Sequence, residues 1–147
     1  SGGTQGGDCL GGTGAQAAFD NLPPLANQST GQFATIAHTA ALVGAQEWLD
    51  ELRVEIAANK RLLATLLADR LPEVGYTPAP ATYLAWLDCA GFDLPDPSRH
   101  FLDVGRVALN RGADFGPAYR QFARLNLAAS PDMIGEAVAR MARSLGR

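Results

Sequence analysis

The chain has 147 residues, 47% hydrophobic and 18% charged, enough to bury the core of one globular domain. A formal net charge of −3 leaves no basic excess to neutralise phosphates or an anionic bilayer, which argues against nucleic acid and membrane surfaces as partners. No run approaches the ~18 apolar residues of a membrane span, and the start lacks the basic-then-apolar order of a secretion signal, so the expected location is cytoplasmic.

In chain order, residues 1–14 hold seven glycines and one leucine, a stretch that loses much entropy on ordering and offers little to bury. Tandem prolines in "NLPPL" (21–25) then exclude helix. Ser29 followed three residues later by Gln32 has the form of a capping box, and Phe33, Ile36, Ala40 and Val43 repeat behind it at helical spacing, so a helix is expected from near Thr30. Gly44 is a point of bending or interruption. Beyond it Trp48, Leu52, Ile56, Leu63 and Leu67 sustain an apolar stripe to Leu71, where Pro72 stops it. The segment is one long amphipathic helix, or two in series.

From Val74 the period changes. "ATYLAWLDC" (81–89) is aromatic-rich, short and preceded by prolines, which predicts a central strand. Asp96 before Pro97 predicts the cap and first turn of a short helix. "VALNRG" (107–112) and "FARLNLA" (122–128) read as two more strands, separated by a loop through Phe115, Gly116 and Pro117. Ser130-Pro131-Asp132 opens a last helix with Ile134, Val138, Met141 and Leu145 inward and Gly146 as its stop. The expected fold is α+β: a small, mainly antiparallel sheet of three to four strands, helices packed on it, and a long amphipathic helix before it.

Several local signals carry little. "GTGAQA" (12–17) matches a dinucleotide fingerprint in letters only, with no strand before it. Cys9, His38, Cys89 and His100 lie at spacings that fit no zinc pattern, and no metal site is expected. Both cysteines read as free thiols; His38 reads as a half-buried packing residue and His100 as exposed. Trp48 and Trp86 read first as core residues. The single lysine, Lys60, lies in "ANKRLL" beside Asn59 and Arg61 and reads as a solvated helix position.

One strand stands out. Period-two alternation places Phe122, Arg124 and Asn126 on one face and Ala123, Leu125 and Leu127 on the other. An arginine on such a face is ordinarily solvated or ion-paired. Beside Phe122 and Asn126, its planar fork of donors also suits a carboxylate.

"ATYLAWLD" (81–88), "RVALNRGADFG" (106–116) and "FARLNLAAS" (122–130), in that order and spacing, resemble the C-terminal region of class I/II aminotransferases of the fold-type-I pyridoxal-phosphate family, nearest the cystathionine β-lyase-like carbon–sulfur lyases. The resemblance runs from about Asn27 to the end and departs from the pattern at Tyr119, Arg120 and Gln121. It implies that Arg124 grips the substrate α-carboxylate, with Asn126, its neighbour on the strand face, placed to help orient it, and that Tyr83 and Trp86 line the domain cleft. It implies residues 27–147 as the small domain with its interdomain helix, and 1–26 as a tail or remnant of the large domain. It further implies a homodimeric parent enzyme that uses pyridoxal phosphate on an amino acid, as transaminase or C–S lyase. Such an enzyme needs a lysine for the cofactor aldehyde, and Lys60 has no Ser-x-x-Lys setting. No catalytic or cofactor-binding residue is therefore assigned here; the chain alone is expected to be inactive and to hold no cofactor, the upstream large domain being its partner. The alternative is a non-catalytic α+β amino-acid-binding or interaction domain.

Overall fold

The computed structural model describes residues 13–15, 21 and 31–147, and the expectations for the glycine-rich start, the tandem prolines, Cys9, the 12–17 fingerprint and Ser29 fall largely or wholly outside them. The chain divides into two units at Glu51/Leu52.

In the first unit α1 spans Gln32–Gly44, with Gly31 in the cap position, extended at φ −63° and ψ 132° and without a side-chain bond. The helix thus starts two residues later than its sequence suggests. Its apolar side chains point outward: Phe33, Ile36 and Val43 are 80%, 58% and 83% exposed, and only Ala34 is buried. Helical spacing alone did not reveal that. Ala45, at φ −105° and ψ 22°, ends the helix directly after Gly44. A second helix, α2, runs Gln46–Arg70. Of the two arrangements the sequence allowed, two helices in series is the one formed. Trp48, expected in the core, is 63% exposed.

In the second unit burial deepens along α2, where Leu63, Leu67 and the following Leu71 are at most 2% exposed. Pro72 then breaks the path, and Val74 is already buried. Three strands follow: β1 (Leu84–Asp88), β2 (Asn110–Arg111) and β3 (Phe122–Asn126), all antiparallel, in the order β1-β3-β2. Helix α3 (Pro97–Asp103) opens as expected, the Asp96 carboxylate accepting from the Arg99 N–H at 3.0 Å and Pro97 filling the first turn. Helix α4 (Pro131–Ser144) is capped by Ser130, whose hydroxyl accepts from the Met133 N–H, and Gly146 takes φ +78° beyond its end. The α+β architecture is the one expected. One face of the sheet (Ala85, Leu87, Ala123, Leu125) packs with Leu63 and Leu67, Phe101 of α3, and Ile134, Val138 and Met141 of α4.

All three strands are shorter than their sequence suggests, β3 by two residues at its end. Thr82 adopts φ +61° and its hydroxyl accepts from the Leu84 N–H, so the ladder of β1 begins only at Leu84. In the 107–112 stretch, Arg106 takes φ +56°, Val107 donates its N–H to Phe101 O at 2.9 Å, and a tight turn starts at Gly112. Only Asn110 and Arg111 are left to pair.

Lys60 corrects its reading as a solvated side chain. It is 9% exposed, and its ammonium donates to Ala79 O at 2.7 Å and Ala81 O at 3.0 Å. Its neighbour Asn59, 6% exposed, donates through Nδ2 to Leu127 O at 3.0 Å and Ala129 O at 2.9 Å. Adjacent helix residues thus clasp the entry to β1 and the exit from β3. His100 is likewise half-buried rather than exposed, its Nε2 lying 3.1 Å from Ser144 O. His38 is half-buried as expected. Among the described residues no helix is long and apolar enough to cross a membrane.

Candidate functional site

Strand β3 is central, so each of its residues has neighbours on both sides. Arg124 is registered with Trp86 on β1 and with Asn110 on β2. Residues directly opposite in antiparallel strands share a face, so Trp86, Arg124 and Asn110 form one row across the sheet. The alternation read from the sequence is the one built: Ala123, Leu125 and Leu127 are buried at 0%, 8% and 0% exposure, and Phe122, Arg124 and Asn126 occupy the other face.

The guanidinium is held on two sides. Its Nε and Nη2 donate to Asn110 Oδ1 at 3.3 and 3.2 Å. Its central carbon sits 4.6 Å from the centroid of the Phe115 ring, within cation–π range. Among the described residues none of the ion pairs involves Arg124, so no carboxylate there neutralises it.

Aromatic side chains wall the row. Trp86 stacks on Phe122 at 5.5 Å with 15° between planes, and meets Phe115 and Tyr119 edge-on at 5.4 and 5.7 Å. Phe115 and Tyr119 come from two consecutive tight turns, Gly112–Phe115 and Pro117–Tyr119, joined at Gly116 with φ +137°. The fold-back is possible because residue 112 is glycine: a Cβ there would lie 2.0 Å from Tyr119 O and 2.5 Å from Phe122 O. Tyr119, where the sequence departs from the aminotransferase pattern, thus becomes part of the wall.

Strand β2 has two residues and is fixed from outside the ladder. The buried hydroxyl of Ser98 donates to Asn110 O at 3.3 Å, and Arg111 pairs with Asp96 at 2.7 Å. The first turn of α3 therefore fastens both residues of β2, and with them the amide that holds Arg124.

Of the side chains singled out from sequence, Trp86 lies beside Arg124 in the row. Asn126 shares the face but is exposed, and its Oδ1 accepts from the Ala128 N–H at 2.8 Å. Tyr83 stands before β1, half exposed, its carbonyl accepting from the Leu127 N–H at 2.8 Å; its ring contacts none of the four clustered rings. Asn110 and Phe115 were not picked out by sequence reasoning. Nothing in "VALNRG" or the following loop marks them until the strand order puts β2 beside β3.

What the row offers is a fixed cation with unused donors, a neutral amide and an apolar wall. That suits an anionic group, above all a carboxylate. An amine for a cofactor aldehyde is a different matter. The chain's one lysine is engaged by two backbone carbonyls, so these residues do not fit a Schiff-base cofactor by themselves.

No model of a known protein family matches the chain. It is 38% identical over 148 residues to a candidate cystathionine β-lyase of Mycobacterium leprae, across 90% of this chain and 37% of that protein. It is 33% identical over 129 residues to the cystathionine β-lyase of Corynebacterium glutamicum, across 87% and 34%. A solved structure described as a candidate PLP-dependent β-cystathionase from Corynebacterium diphtheriae shares the fold at a TM-score of 0.86 and 29% identity, covering 92% of this chain and 36% of that one. The chain spans 37% and 34% of the lengths of those two curated relatives.

Proposed function

The chain corresponds to the C-terminal region of the fold-type-I, pyridoxal-phosphate-dependent C–S lyases, and from that premise we propose that Arg124 holds the α-carboxylate of an amino-acid substrate. The active centre would draw its cofactor-anchoring amine from outside these 147 residues. The observation that carries this reading is a guanidinium fixed by Asn110 and Phe115 with no carboxylate partner among the described residues. An arginine kept for stability alone gains most from a paired carboxylate; one kept for a ligand needs its charge unspent.

In this reading residues 27–147 form the small domain of a cytoplasmic, homodimeric enzyme of amino-acid metabolism, with 1–26 as a tail or the margin of its large domain. Trp86 and the rings around it exclude water from one side of the carboxylate, and Asn126 and Tyr83 lie further out. Arg124 orients the substrate and moves no proton itself. The isolated chain is inactive and retains no cofactor.

The test is Arg124→Ala in the complete enzyme. Losing two charge-assisted hydrogen bonds to a carboxylate lowers kcat/KM by ~10²-fold or more, while pyridoxal-phosphate absorbance stays at the wild-type level. Unchanged turnover removes Arg124 from the site.

The outward apolar residues of α1 favour a second reading, a module that binds an amino acid or another protein without chemistry. Calorimetry separates the two: micromolar amino-acid binding to the isolated chain supports the module, and none supports a half-site.

A further inference from the structure

We propose that Asn110 is a positioning residue that selects which edge of the Arg124 guanidinium meets a ligand. The proposal rests on the reading of Arg124 as a carboxylate receptor and adds the geometry of the encounter. A guanidinium can grip a carboxylate along two edges, one made by Nε and the nearer Nη, the other by the two Nη groups. In this structure Nε and Nη2 converge on a single oxygen, Asn110 Oδ1, at 3.3 and 3.2 Å. Because arginine only donates, the amide must turn its oxygen to it, and the first edge is thereby taken. The second edge, Nη1 with the remaining N–H of Nη2, is left for the ligand.

Two further features make Asn110 a fixed post. Its carbonyl accepts from the buried Ser98 hydroxyl, and Arg111 beside it is paired with Asp96, so both residues of β2 are tied to the start of α3. Phe115 lies against the guanidinium and limits its tilt. The chemistry of position 110 matters as much as its place. A neutral amide holds the guanidinium without neutralising it, whereas an aspartate there would form an ion pair and compete with the incoming carboxylate.

Two experiments test this. In the 147-residue chain with ¹⁵N-labelled arginine, Asn110→Ala speeds solvent exchange of the Arg124 Nε–H by about 2- to 10-fold, as expected for losing one ordinary hydrogen bond. Unchanged exchange overturns the proposal. In the complete enzyme with L-cystathionine as probe, Asn110→Asp raises KM by ~10-fold or more, through capture of the guanidinium, with a smaller change in kcat; Asn110→Ala raises KM less. A merely structural role would give no such order. Wild-type KM in Asn110→Asp alongside an impaired Arg124→Ala overturns the proposal alone. Wild-type KM in Arg124→Ala overturns the carboxylate reading, and the proposal with it.

Discussion

Replacing Lys60 by methionine keeps the length and apolar stem of the side chain and removes only the ammonium. With it go two hydrogen bonds from a charged donor, to Ala79 O at 2.7 Å and Ala81 O at 3.0 Å. At ~1.5–3 kcal/mol each, their combined worth is about 3–6 kcal/mol. Against this stands the desolvation of an ammonium on a residue only 9% exposed, several kcal/mol that methionine no longer incurs. Residues 79 and 81 are exposed, so water can rehydrate the freed carbonyls. The balance is a net loss of ~1–2 kcal/mol, or a Tm roughly 3–7 °C lower for a chain of this size. Thermal unfolding by circular dichroism measures it. Hydrogen exchange supplies the local signature, because the Leu127 N–H bonded to Tyr83 O at 2.8 Å should lose protection when the segment before β1 loosens. A Tm at or above the wild-type value would refute the clasp, because it would mean that desolvation outweighs the two bonds.

Gly112→Ala should destabilise by ~3 kcal/mol, the upper end for overpacking, since the new methyl would meet the Tyr119 and Phe122 carbonyls at 2.0 and 2.5 Å; a wild-type Tm would contradict that geometry. The Arg147 guanidinium, bonded to Glu73, holds that carboxyl below its ordinary value of 4.5. A lowered folded pKa stabilises above the unfolded value and loses that contribution as pH falls through the folded one, so wild type should exceed Glu73→Gln in stability at pH 7 and the gap should close in acid; a gap that persists at pH 2 would argue against the pairing. Burial, followed by the nearby Asp88 charge, pushes the Cys89 thiol up to about 12. In a Cys9→Ser background the folded chain should therefore not react with a disulfide reagent at pH 8 and should yield one thiol in denaturant; fast native reaction would place Cys89 nearer solvent.

What could be read from sequence was what neighbouring residues decide. Asp96-Pro97 and Ser130-Pro131 fix helix starts within a few positions, and the inward set Ile134, Val138 and Met141 follows from a 3.6-residue period. The two-sidedness of β3 was equally legible. The rest depends on distant partners. Lys60 is buried by carbonyls 19 and 21 residues further on. Strand β2 exists only because β3 pairs with it, and Asn110 and Phe115 matter only once that pairing brings them to Arg124. The outward turn of Phe33 and Val43 in α1 is invisible to periodicity, which ranks faces without saying what meets them.

The alternation along β3 has one more effect. Sliding this strand by a single residue against either neighbour would exchange its two faces, forcing the Arg124 guanidinium into the layer that now holds Phe101 and Met141 and expelling Leu125. A charge stranded there with no counter-ion carries a penalty of several kcal/mol. The guanidinium thereby also guards the sheet's own alignment, because any slipped register would have to bury it.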